Sequence, residues 1–134
     1  MICTLALAIA MTTTIHATPT LPPCPGSPNC VSSQADDSHR IEPIKISGVA
    51  KSEFGSLRQL LSQRTDTTIV SADDAAIKVE FRTTLGFVDD AMFALDLANA
   101  VIHVRSAARL GYWDLGKNRR RMEEIRRSYL EERH

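Results

Sequence analysis

Three consecutive runs between Ile69 and Ala107 carry the period-two alternation of half-buried β-strands, and turn residues separate them, so the middle of the chain is an antiparallel meander. Ile77, Val79, Phe81 and Thr83 alternate with Lys78, Glu80, Arg82 and Thr84. Ala91, Phe93, Leu95 and Leu97 alternate with Asp90, Met92, Ala94 and Asp96. After a turn at Ala98-Asn99-Ala100, the last run places Val101, His103 and Arg105 on one face and Ile102, Val104 and Ser106 on the other. A short strand at Ile69-Val70 precedes the Asp73-Asp74 turn. His39 to Ile46 reads as a short edge strand, confined to an edge by Pro43.

Two helices flank the meander. Phe54, Leu57, Leu60 and Leu61 form one apolar stripe over Ala50 to Gln63, with Lys51, Glu53, Arg58, Gln59 and Gln63 around the rest. Asp114 is a good N-cap for a final helix whose stripe is Leu115, Met122, Ile125 and Tyr129. The fold class is therefore α+β: a meander sheet with both helices packed on one face, preceded by a Cys-containing loop. A length of 134 residues suits a single core, and 16 Lys+Arg against 16 Asp+Glu leave the chain neutral. That balance excludes a strongly basic nucleic-acid binder and an acidic disordered tail.

Met1 to Ala17 contains no Lys, Arg, Asp or Glu, and Leu5 to Met11 is a short apolar run, well under the ~20 residues of a transmembrane helix. It reads as a signal-peptide h-region, with cleavage after Ala17 and a Pro/Thr-rich joint at 18–23 before a single domain at 24–134. This places the protein in the periplasm or outside the cell, with membrane contact only through an uncleaved leader. Cys3 lies too near the start for lipoprotein processing. In an oxidising compartment the two remaining cysteines, Cys24 and Cys30, pair across the turn formers Pro25 to Asn29. A catalytic cysteine and half a metal site are the weaker alternatives.

The charge is unevenly spread. Between Arg105 and Arg121 stand six basic side chains and one acid, a segment able to present guanidinium forks to a carboxylate or phosphate. Against this stands a structural network in which Arg105 and Arg109 pair with Asp89 and Asp90. Arg119 to Arg127, with Glu interspersed at helical spacing, reads as a solvated face. Ser32, Ser33, Asp36, Asp37 and His39 supply the residue types of a hydrolytic triad in one loop, and His103 beside Arg105 is a second acid-base pair, but no nucleophile elbow is present. His39, His103 and His134 show no ligand spacing, so no metal and no cofactor is implied.

Four motifs in register then carry a resemblance: Cys24 to Ser33, His39 to Ile44, Phe87 to Asp90, and Arg105 to Arg121. Together they resemble the bacterial family called domain of unknown function 1499. The likeness spans roughly Leu21 to Leu130. It implies an exported or envelope-associated protein and no particular reaction. It also singles out Asn29, Cys30, Ser32, Ser33, Asp89, Asp90, Arg105, Arg109, Gly111, Asp114, Asn118 and Arg121, while Ala108, Trp113 and Lys117 depart from the family pattern. On these grounds the chain is expected to be a binding or interaction module, with enzymatic activity left open. Cys24 to Ser33 would fold over Arg105 to Arg121, and Asn29, Ser32, Ser33, Arg105, Arg109, Asn118 and Arg121 would line a polar cleft for a small anionic ligand or an envelope partner's carboxylate. Cys24, Cys30, Asp89, Asp90, Gly111 and Asp114 would hold the frame. The alternative is an envelope hydrolase using Ser32 or Ser33 with His39 or His103.

Overall fold

The computed structural model describes residues 9–133. Met1 to Ala8, which hold Cys3 and most of the apolar leader, and His134 lie outside the described residues. Residues 9–17 carry no regular secondary structure and are exposed. The elements that follow are β1 (Cys30–Ser32), β2 (Ile44–Lys45), α1 (Ala50–Ser62), β3 (Thr67–Ala72), β4 (Ala76–Arg82), β5 (Val88–Asp96), β6 (Val101–Ala108) and α2 (Lys117–Glu131).

The alternating runs pair as one antiparallel sheet in the order β1-β6-β5-β4-β3, and β2 pairs with β6 as well. β1 and β2 lie end to end on the same side of β6: Cys30 to Ser32 oppose Ala107 to Arg105, and Ile44 and Lys45 oppose Ile102 and Val101. The long central strand thus has no open edge. The edge strand expected at His39 to Ile46 shortens to Ile44–Lys45, with Arg40 adding an isolated parallel bridge to Ser32. β1 falls in a segment whose composition suggested only loop, because Cys30, Val31 and Ser32 are all buried and show no alternation.

One face of the sheet, bearing Ile77, Val79, Phe81, Ala91, Phe93, Ile102 and Val104, packs against Phe54, Leu57, Leu60 and Leu61 of α1 and Met122, Ile125 and Tyr129 of α2. The expected α+β architecture stands: six strands in one sheet, two helices and a preceding Cys24–Cys30 loop. Fully burying each large apolar side chain contributes about 2 kcal/mol, so this face holds the fold. Glu53, read as solvated, is instead 1% exposed. The Tyr129 hydroxyl donates to its Oε2 at 2.6 Å and Arg133 pairs with Oε1, joining the ends of the two helices.

The final helix begins at Lys117 rather than just after Asp114. Leu115 adopts a left-handed conformation (φ 57) and is exposed, so it leaves the apolar stripe. Asp114 still caps the helix from outside: its carboxylate accepts the backbone N–H of Gly116 and of Asn118, each at 2.9 Å. These donors and the Asn118 amide outweigh the burial that opposes ionisation, holding its carboxyl below the ordinary range.

The other face of the sheet is covered in part by the N-terminal segment. Leu21 is buried, and Gln34 clips this irregular strap by accepting the Leu21 N–H (2.8 Å) and donating to the Pro19 carbonyl (2.6 Å). The Cys24–Cys30 disulfide, with Cα atoms 5.7 Å apart, ties this strap to β1.

Candidate functional site

Cys24 to Ser33 does lie against Arg105 to Arg121, but as a paired strand and a buried amide network. Asn29 donates to the Gly111 carbonyl, and its own carbonyl accepts the Ala108 N–H at 2.9 Å. Asn118, with no exposure, accepts the Ser106 hydroxyl at 2.6 Å and donates to Asp114 at 2.8 Å. Asn29 and Asn118 are thereby engaged inside the protein, where buried amides need partners. Ser32 Oγ accepts the Gln34 N–H at 3.2 Å. It borders a hollow of about 370 Å³ shared with Asp36, Asp37 and His39.

His39 is a clamp. Nδ1 lies 2.8 Å from Asp37 and Nε2 2.9 Å from the Ser27 carbonyl, two acceptors that both require a ring N–H. The Ser27 carbonyl first, and the Asp37 carboxylate after it, raise the imidazole above its ordinary value of 6.5.

A second histidine stands in a different chain of bonds. Ser33 Oγ is 3.1 Å from His103 Nδ1, and His103 Nε2 is 3.1 Å from Asp96 Oδ2. Asp96 had only been a wet-face residue of its strand in the sequence pattern. Burial opposes its ionisation, but the side-chain and backbone donors of Asn99, with His103, prevail and hold it below the usual carboxylate range. Ser33 is 3% exposed and its Oγ accepts the Val104 N–H at 2.9 Å.

The arginines separate according to strand alternation. Asp89 and Asp90 are neighbours on β5 and so point to opposite faces, which splits the expected network: Asp90 does pair with Arg109, whereas Asp89 meets neither Arg105 nor Arg109. Arg109 grips Asp90 with two bonds of 2.6 and 3.0 Å and reaches Glu80 at 3.0 Å on the outer face. Asp89, on the helix face, is met by Arg121 (2.8 Å) and Lys117 (3.2 Å). Arg121 also stacks over Phe81, 4.5 Å from the ring centre. Arg119 and Arg120, read as solvated, donate to backbone carbonyls at Ser38, Arg40 and Leu115. Arg105 donates to the Pro23 carbonyl of the strap at 3.2 Å, burial lowers its pKa, and its Nε has no partner.

Among the described residues, two buried side-chain atoms lack a hydrogen bond: Arg105 Nε and Asp89 Oδ1. Asp89 is 1% exposed and floors a groove of about 380 Å³ between the β4–β5 turn and the loop joining β6 to α2. The walls are Leu85, Phe87, Leu110, Trp113 and Leu115, and Lys117 stands beside the carboxylate. Gly86, Gly111 and Gly116 supply positive φ at the turns, and Leu115 is held in the same region against its own preference. Strain on a bulky residue at a groove wall is a mark of a site. Sequence reasoning missed this groove, because its walls look like ordinary turn-flanking apolar residues. A signal was present, in that Leu110 and Trp113 fit no helical or strand stripe. A larger hollow of about 430 Å³ lies between the helices at Tyr129 and Arg133, whose polar groups already bond to each other and to Glu53. Among the described residues no cluster of His, Cys, Asp or Glu is arranged to hold a metal ion, and no helix is long and apolar enough to cross a membrane.

Fold and site together define a small α+β module with a disulfide-tied strap on one face of its sheet and an apolar groove over a buried charge pair at one end. The chain belongs to the family described as "Protein of unknown function (DUF1499)", which matches residues 20–128. The matched region takes in the strap, both loops of the groove and nearly all of α2. No curated protein and no solved structure matches the chain.

Proposed function

We propose that the chain is an exported binding module without catalytic activity, and that its ligand enters the groove between Leu85 and Leu115. The apolar, uncharged leader pattern and the Cys24–Cys30 disulfide support export, since such bonds persist in oxidising compartments. The observation that carries the site is Asp89, a buried residue lining the groove whose Oδ1 has no hydrogen-bond partner. A buried acceptor without a donor costs about 1–3 kcal/mol, which a ligand donor recovers on binding. Arg121 and Lys117 already balance the carboxylate, so a third cation is repelled and a neutral N–H or O–H fits best. The anionic ligand expected from the arginine run is less well served, because Arg109 and Arg121 face carboxylates.

Trp113 is the sole tryptophan and lines the groove, so its emission reports occupancy. Titration with octanamide should shift that emission saturably, at least tenfold more tightly than octyl phosphate. In Asp89→Asn the amide nitrogen replaces the free acceptor, and the preference for octanamide should vanish. Equal binding of both probes, or octanamide binding indifferent to Asp89→Asn, would refute the site.

One observation favours a second reading, hydrolysis, namely the Ser33–His103–Asp96 chain. If Asp96 accepts from Nε2, then Nδ1 is free to take the Ser33 proton, as an acyl-transfer nucleophile requires. Burial of Ser33 and the Val104 N–H on its oxygen weigh against it. Labelling of Ser33 by a fluorophosphonate in the full chain, abolished in His103→Gln, would establish this reading; an unlabelled Ser33 removes it.

A further inference from the structure

Six large apolar side chains crowd two adjacent loops at one end of the sheet, and each is more than half exposed: Leu85 (85%), Phe87 (54%), Leu110 (74%), Tyr112 (71%), Trp113 (68%) and Leu115 (66%). Scattered exposed leucines need no explanation, but a cluster of this kind on one tip of a small domain marks an interaction surface. The tip is not a collapsed patch of the core. Its turns are set by Gly86, Gly111 and Gly116 in left-handed conformations, and Leu115 is held there too, so the apolar groups are projected outward by the backbone.

The chemistry of the tip fits a lipid surface. Trp and Tyr, with an apolar body and a polar tip, favour the boundary between hydrocarbon and headgroups. Behind them stand exposed or half-exposed cations: Arg82 closes β4, and Lys117 and Arg120 open α2. Two nearby carboxylates are withdrawn, Asp89 under Lys117 and Arg121 and Asp114 on the backbone of Gly116 and Asn118, while the partly exposed Asp90 and Glu80 are gripped by Arg109. The tip therefore sets its apolar groups beside Arg82 and Arg120, exposed cations that can meet anionic headgroups while the apolar side chains sit just beneath them. Thr18 lies at the other end, where Asn99 in the β5–β6 turn donates to it.

We propose that the loops Thr83–Phe87 and Arg109–Gly116 dock on an anionic bilayer surface, with Leu110, Trp113 and Leu115 seated at the acyl-chain boundary. This rests on the groove reading, which then works at a membrane face and draws amphipathic ligands from it.

The test uses the full chain and vesicles of phosphatidylethanolamine with phosphatidylglycerol. The protein should sediment with them, Trp113 emission should move to the blue, and lipids brominated along their acyl chains should quench it. Leu110→Ser with Leu115→Ser should weaken partitioning at least tenfold while leaving the fold intact, since both side chains are exposed. Pure phosphatidylcholine should bind more weakly, and high salt should reduce binding without abolishing it. Three results overturn the proposal: protein left in the supernatant, sedimentation without quenching from the acyl chains, or a dimer in solution dispersed by the same two substitutions, which would assign the surface to a second copy. Octanamide binding without vesicle binding defeats this inference and leaves the groove reading standing. Loss of both defeats both.

Discussion

Replacing Arg121 by Met isolates the buried ion pair on which the groove floor depends. Arg121 is 8% exposed; its Nη1 lies 2.8 Å from Asp89 Oδ2, its Nε 3.7 Å from Asp66, and its guanidinium covers Phe81. Removing one partner of a buried pair costs about 3–5 kcal/mol, because the other charge is left in a poor solvent. Lys117 remains 3.2 Å from the same carboxylate oxygen, which places Arg121→Met near the lower end. The lost cation–π contact, roughly 1 kcal/mol, is largely offset by the new Met sulfur against the ring. The net expectation is about 3 kcal/mol, or a fall in Tm of roughly 10 °C for a chain of this length. Urea unfolding followed by circular dichroism measures it. The decisive variant is Arg121→Met with Asp89→Leu, which removes both charges and leaves Lys117 able to turn to solvent. It should lie within about 1 kcal/mol of the parent, giving a coupling of at least about 2 kcal/mol between the positions. A loss under about 1 kcal/mol for Arg121→Met, or a double variant as poor as the sum of its singles, would show that the pair is not desolvated as argued.

Three further outcomes follow from the same geometry. Reduction of Cys24–Cys30, or Cys24→Ser with Cys30→Ser, should cost about 2 kcal/mol from the short loop it closes, read as a lower Tm with reductant. His39 carries a raised folded-state pKa, so its stabilisation is complete below about pH 6.5 and fades as pH climbs through the folded value. The parent's Tm should decline across that window relative to its plateau, whereas His39→Gln should lack the decline; parallel curves would contradict a protonated clamp. Leu115→Asn should leave Tm unchanged or raise it by a few degrees, since Asn tolerates the left-handed region better, yet it should weaken octanamide binding.

The meander, the stripes of both helices and the cysteine pair were legible because each is written in local periodicity or local turn chemistry. Ile77, Val79 and Phe81 can face only one way once the register is fixed. What escaped depended on contacts across the fold. Glu53 looks like any polar residue of an amphipathic helix until Tyr129, far along the chain, supplies its hydroxyl. Asp96 looks like a wet-face residue until Asn99, His103 and the neighbouring strap enclose it. Leu115 looks like the first turn of a helix that in fact starts at Lys117, because Asp114 caps from two residues outside it.

The paired aspartates carry the same lesson into the site. Adjacent in sequence, Asp89 and Asp90 suggest one acidic feature facing one basic run, but a strand sends them to opposite faces with different surroundings. Asp90 and Arg109 are about half exposed, and such a pair contributes little beyond what water already offers. Asp89 is enclosed, lines the apolar groove, is balanced by two cations, and has one carboxylate oxygen without a partner. A desolvated acceptor discriminates among ligands far more strongly than an exposed one, because a mismatched ligand leaves it unpaired. On the proposed groove reading, selectivity would rest with Asp89 and not with the half-exposed Asp90 and Arg109.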